Sequence, residues 1–178
     1  MRHSPLYTIG HSTRSADEFL TLLTAHEVRT LADVRKIPRS RHNPQFNRDV
    51  LPAKLAGASI GYVHMPDLGG LRRPKPDSIN LGWRNDSFRA YADYMQTPAF
   101  AEAMDELLAL ASGGPVAIMC AEAVPWRCHR SLIADALLVR GEAVAEIVSA
   151  TRAASHVLTS FARIEGARIT YPPEGLPL

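Results

Sequence analysis

Short apolar runs alternate along this chain with segments of helical periodicity, and that alternation restricts its fold more than any other feature. Residues 6–9, 30–34, 61–65, 116–119 and 143–148 each have the length and apolar, β-branched or aromatic content of a strand. Between them, residues 17–25 carry Phe19, Leu20, Leu22 and Leu23 along one helical face, with Ser15 placed as N-cap and Glu18 three residues on in a capping-box pattern. Residues 46–56 carry Val50, Leu51 and Leu55, with Pro52 predicting a later start or a kink. Residues 87–96, 98–111 and 131–138 read as further helices, the second with Pro98 in its first turn. A strand–helix–strand order of this kind covers both faces of a parallel sheet through right-handed crossovers. The expectation is one α/β domain over residues 1–178, with a mostly parallel sheet of about five strands flanked by helices. A long polar loop near 66–86, a last helix over 155–163, a short edge strand over 167–171 and a Pro-rich C-terminal tail complete the reading.

At 178 residues the chain suits one domain. Hydrophobic residues make up 46% and charged residues 21%, which is ordinary globular composition. No apolar run approaches the roughly 20 residues of a membrane span, so no membrane partner is expected. The opening MRHSPLYTIG lacks the apolar core and small-residue cleavage site of an export signal, which points to the cytoplasm. In that reducing setting Cys120 and Cys128 are expected as free thiols. A net charge of +2 gives no global signal for nucleic acid. Basic residues nevertheless crowd at Arg35, Lys36, Arg39, Arg41 and Arg48, and again at Arg72, Arg73 and Lys75. Such clusters either attract polyanions or are simply solvated surface.

Polar motifs stand where four strands end: Gly10-His11-Ser12, Asp33-Val34-Arg35, Asp67-Leu68-Gly69-Gly70 and Cys120-Ala121-Glu122. In a parallel sheet these meet at one edge, where ligands bind, and a helix N-terminus there favours anions. The loop after residues 116–119 also holds Trp126, Arg127, Cys128, His129 and Arg130, and so includes every cysteine of the protein. Cys120 is the candidate nucleophile, because Arg127, Arg130 and a helix N-terminus all favour a thiolate; the competing reading is a buried structural thiol. Glu122 or His11 would act as acid or base. Ser12, Asp33, Arg35, Asp67, Arg127, His129 and Arg130 would bind substrate, although Asp33, Arg35 and Glu122 also read as a satisfied ion-pair network. The layout is similar to rhodaneses and cysteine-based phosphatases, yet Trp126 stands where the phosphatase loop has its arginine and Arg127 follows one place late. Cys120, Cys128 and His129, with His11 or His64, offer thiolate and imidazole but lack the spacing of a zinc site, so no metal and no cofactor is expected. Trp83, Phe88, Tyr91 and Tyr94 beside Arg72, Arg73, Arg84 and Arg89 read either as a base-stacking surface or as helix core. The 66–86 loop reads as a binding loop or as disorder.

The segments YTIGHSTRSADEF, LADVRKIPRSRHNPQF and CAEAVPWRCHRSLIADAL, with the turn at residues 66–70 and the late ITYP, resemble the family called Domain of Unknown Function 488. The resemblance implies a small α/β domain whose polar motifs belong together. Its matching positions are His11, Ser12, Asp33, Arg35, Pro38, Asp67, Gly69, Cys120, Glu122, Cys128, His129 and Arg130. It implies no particular reaction. Two functions fit the residues: an enzyme for a small or nucleotide-like anionic substrate at the strand-end cleft, and a nucleic-acid-associated module that holds phosphates through the basic segments around Arg39 and Arg72.

Overall fold

The computed structural model describes residues 4–175. The first three residues of the N-terminal segment and the end of the Pro-rich tail, 176–178, lie outside the described residues. In chain order the elements are β1 (Leu6–Gly10), α1 (Ala16–Ala25), β2 (Thr30–Asp33), α2 (Leu51–Gly57), β3 (Gly61–His64), α3 (Asp86–Tyr94), α4 (Pro98–Ala111), β4 (Val116–Cys120), α5 (Arg130–Val139), β5 (Val144–Ser149), β6 (Arg152–Ser155), β7 (Arg163–Glu165) and β8 (Arg168–Thr170). The main sheet runs β3-β2-β4-β1-β5-β6; every pairing in it is parallel except β5 with β6. The expected α/β class is therefore correct, with one antiparallel strand added at the edge.

Local chemistry explains most boundaries. Ser15 caps α1 through the Glu18 amide while Glu18 reaches back to the Ser15 amide, the reciprocal pair anticipated from the sequence. Thr97 caps α4 with Pro98 in its first turn, and Asn85 caps α3. Pro52 restricts its helix to a start at Leu51, after a 3₁₀ turn at Pro44–Phe46. Residues 155–163 form no helix. The chain instead turns back as β6, and Asp135 then captures the His156 ring and the Thr159 amide. The short strand expected at 167–171 is β8, paired with β7 in a separate hairpin. No helix among the described residues is long and apolar enough to cross a membrane.

β4 is buried at every position and sits at the centre of two cores. Val116, Ile118 and Cys120 join the cluster under α3, α4 and α5, whereas Ala117 and Met119 join the one under α1 and α2. Strand side chains alternate faces, so this register alone assigns Cys120 to the α5 side.

Candidate functional site

The connections out of β1 and β2 lead to α1 and α2 on one face, while β4, which lies between those strands, leads to α5 on the other. Exits that diverge in this way open a crevice at the carboxyl end of the sheet. A cleft of about 420 Å³ lies there. Its lining comes from the β4–α5 segment (Cys120, Glu122, Arg127, Cys128 and His129), from the chain after β2 (Arg35, Lys36 and Ile37), from Gly70 and Leu71, and from the start of α3.

Cys120 is the last residue of β4, and Cys128 stands just before α5. A 3₁₀ turn at Pro125–Arg127 folds the intervening loop back on itself, and the two cysteines are joined as a disulfide with Cα atoms 7.3 Å apart. The expectation of two free thiols is overturned: residues eight apart meet because the strand end and the helix start are adjacent in space.

Arg130 holds this loop. Its side chain is wholly buried. Nη1 donates to Cys120 Sγ and to the Glu122 carbonyl, each at 2.7 Å. Nη2 donates to the Ala123 carbonyl at 3.1 Å and to Glu146 Oε1 at 2.8 Å, and Nε donates to Glu146 Oε2 at 3.3 Å. The Thr8 hydroxyl hydrogen-bonds the same carboxylate. The guanidinium thus lies behind Cys120, outside the cleft lining, and ties the loop to β5. Gly10 makes room for it: a Cβ there would overlap the Glu122 carbonyl and crowd Arg130 Nη1. The amides of His11 and Ser12 extend the β1–β4 ladder by donating to the carbonyls of Cys120 and Ala121 at 2.9 and 3.0 Å.

His129 reaches under the cleft floor. Its Nε2 lies 3.1 Å from the Val34 carbonyl, an acceptor, and the Leu68 backbone also bonds the ring; with Nε2 donating to Val34, Nδ1 is the bare nitrogen. That bare nitrogen is 3.6 Å from Cys128 Sγ. Burial lowers the pKa of the imidazole to about 4, which leaves it neutral near pH 7.

The other sequence candidates divide between the two faces. Asp33 accepts Arg35 Nε and Nη2 at 2.9 and 2.7 Å and the Tyr62 hydroxyl at 2.6 Å, and its carboxylate is fully buried. Arg35 also donates to the Phe46 carbonyl and contacts His11 Nε2 at 3.3 Å. His11 stacks on Phe46 at 4.3 Å, donates from Nδ1 to the Ser12 carbonyl, and has its pKa lowered to about 4 by burial. His11, Asp33 and Arg35 therefore form one satisfied network on the α1–α2 side, with only Arg35 touching the cleft. Asp67 is exposed in a 3₁₀ turn outside the lining, where its carbonyl accepts from Tyr94 and Arg72. Glu122 and Arg127 are exposed on the cleft wall.

The aromatic group is mostly core. Tyr91 is buried, Trp83 stacks on Phe88 and meets Phe161 edge-on, and Arg72 lies 3.5 Å over the Tyr94 ring. The loop before α3 is anchored by Ser78 and Asn80, which donate to Asp93 Oδ1 at 2.6 and 2.8 Å.

Sequence reasoning missed Glu146, Ile37 and Leu71, and named Lys36 only as part of a basic cluster. Glu146 had a signal, a carboxylate inside the apolar run of β5. Leu71 had none, since its place in the cleft depends on a positive φ of 59° after two glycines.

A single α/β domain with a mostly parallel sheet, and with a cysteine pair and a buried arginine at the end of its central strand, is the class that this fold and site define. The chain belongs to the family described as Domain of unknown function DUF488, whose model matches residues 15–137. That match takes in α1 through most of α5, and with them both cysteines, His129 and Arg130, but not His11 or Ser12. No curated protein and no solved structure matches the chain.

Proposed function

We propose that this protein is an enzyme that admits a small anionic substrate to the cleft at the end of β4 and attacks it with Cys120 Sγ. The observation that carries the reading is the buried guanidinium of Arg130, which donates to that sulfur at 2.7 Å. Once the Cys120–Cys128 bridge is reduced, a fixed cation at that sulfur stabilises thiolate over thiol, and the thiolate is the nucleophilic form. Support for an anion comes from the cleft wall. Lys36 and Arg127 are exposed there and have no side-chain partner among the described residues, and α3 and α5 both begin at the cleft, with their positive ends toward it. Glu122 at the mouth and neutral His129 on the floor are the groups placed to move protons; His11, satisfied on the opposite face, is not.

The nucleic-acid reading has less support, because Tyr91 is buried and Arg72 and Arg89 are occupied with carbonyls, the Tyr94 ring and Asp86. A thermal-shift series with phosphate, small phosphorylated metabolites, carboxylates and nucleotides tests the cleft reading. An anion present at 100 times its Kd adds about 2.7 kcal/mol of stability. The Lys36→Ala/Arg127→Ala double variant is expected to abolish that gain while melting like the wild type when unliganded, since both side chains are exposed. Stabilisation that survives in the double variant counts against the reading. So does oligonucleotide binding that falls steeply with salt and depends on Arg39 and Arg72.

A further inference from the structure

We propose that Cys120 and Cys128 act as a redox pair, and that the substrate class of the cleft is a small disulfide bearing negative charge. The inference rests on Cys120 being the nucleophile and goes beyond it by giving Cys128 and His129 their parts.

Two independent observations point to the second cysteine. The sulfurs of Cys120 and Cys128 are already joined across the cleft floor, so a group held on Cys120 Sγ lies within reach of Cys128 without rearrangement of the fold. Beside Cys128, and not beside Cys120, stands an imidazole whose tautomer is set by the Val34 carbonyl, with its bare Nδ1 3.6 Å from Cys128 Sγ. The two sulfurs therefore have different partners suited to different steps. A cation at Cys120 Sγ keeps the attacking thiolate ready; a neutral imidazole nitrogen at Cys128 Sγ accepts a hydrogen bond from the second thiol and relays its proton as that thiol attacks.

The steps balance as follows. Cys120 thiolate attacks one sulfur of a substrate R–S–S–R′. A Cys120–S–S–R bond forms, the substrate S–S bond breaks, and R′–S⁻ leaves to take a proton from solvent. Cys128 then attacks Cys120 Sγ while its thiol proton passes by way of His129 Nδ1 toward the departing sulfur. The protein disulfide forms, the mixed disulfide breaks, and R–S⁻ leaves with the proton that His129 gives up. The substrate gains two electrons and two protons as two thiols, and the cysteine pair is oxidised to the bridge. A small thiol reductant returns the pair to the dithiol by the reverse exchange.

The cleft also indicates what R carries. Lys36 and Arg127, without a side-chain partner among the described residues, supply positive charge, and the wall also has apolar members: Ile37 is 67% exposed and Leu71 79% exposed, with Phe88 alongside. A carboxylate or similar anion on a compact apolar or aromatic body fits that combination.

The full chain, reduced with dithiothreitol and desalted, is mixed with the aromatic dicarboxylate disulfide dithiobis-nitrobenzoate. Chromophore release is followed in time, and intact mass is measured at the end. The wild type is expected to release two equivalents of thiolate and to finish with no added mass, as the internal bridge. Cys128→Ser is expected to release one equivalent and to retain one adduct on Cys120. His129→Gln is expected to leave the first release unchanged and to slow the second by about a hundredfold. A wild type that keeps two adducts overturns the redox pair while leaving Cys120 a nucleophile; a Cys120 that takes no adduct in Cys128→Ser overturns the nucleophile itself. Charge is tested separately. Dithiodipropionate, with two carboxylates, is expected to react roughly tenfold faster than the diamine disulfide cystamine, and the Lys36→Ala/Arg127→Ala variant is expected to erase the difference. Equal rates in the wild type overturn the anionic substrate class.

Discussion

Arg130→Ala is expected to cost about 3–5 kcal/mol of stability, the largest effect of any single substitution at the site. The guanidinium is wholly buried and is the cation paired with Glu146, whose carboxylate is only 14% exposed. Removing it leaves that carboxylate, among the described residues, with the Thr8 hydroxyl, and the carbonyls of Glu122 and Ala123 lose the Arg130 donor. For a domain of this size each kcal/mol shifts the melting temperature by about 2–4 °C, so a fall of roughly 10 °C is expected in a thermal scan. Arg130→Lys is expected to restore little, because one ammonium cannot span the sulfur, two carbonyls and both carboxylate oxygens that the planar fork reaches. Adding Glu146→Leu to Arg130→Ala is expected to recover part of the loss, since the stranded charge is then gone. A change within about 0.5 kcal/mol for Arg130→Ala would remove the guanidinium as the tie of the loop.

Acid is expected to destabilise the fold at least as strongly. His11 and His129 are both held neutral by burial, each with its pKa lowered to about 4. In the unfolded chain they take up protons near the ordinary value of about 6.5, while the folded protein does not until about pH 4. Their contribution is therefore complete above pH 6.5, is lost as pH falls from 6.5 toward 4, and levels off below that. Each lowered histidine is worth roughly 3 kcal/mol across this window. Urea unfolding at pH 7 and at pH 4.5 measures the loss, and His11→Gln and His129→Gln should each flatten the profile. An unfolding midpoint that stays constant over the window would show that neither imidazole is buried in its neutral form.

What was legible in the sequence was local. The strand runs, the Ser15–Glu18 cap, Pro98 in the first turn of α4 and the strand-end motifs all depend on neighbours within a few residues, and each stands in the fold near its expected place. What was not legible depends on register and strand order. Asp33, His11 and Cys120 share one end of the sheet, as their positions after parallel strands require, but alternation along each strand sends them to opposite faces. One polar edge thus becomes two separate clusters. The pairing of Cys120 with Cys128 needed the path of the 121–127 loop, which the sequence marks only by Pro125. The helix expected at 155–163 lost to Asp135, a buried acid on α5 that bonds His156, Thr159 and Tyr171 and so holds that segment extended. Arg130 reads from the sequence as a ligand for substrate. Its actual partner, Glu146, lies sixteen residues on, in a strand that has no counterpart charge nearby in sequence.

The central claim is that Cys120 is a reactive thiolate facing the cleft, and the rate of its alkylation as a function of pH tests that claim most directly. Reduced Cys128→Ser protein, which leaves Cys120 as its one thiol, is treated with iodoacetamide between pH 5 and 10, and the modified mass is followed in time. The account predicts native-state labelling with a midpoint clearly below the free-cysteine value of about 8.5, set by the Arg130 guanidinium 2.7 Å from the sulfur. A midpoint at or above about 8.5, or a thiol that reacts only after the protein is unfolded, would make Cys120 a core residue and contradict the account.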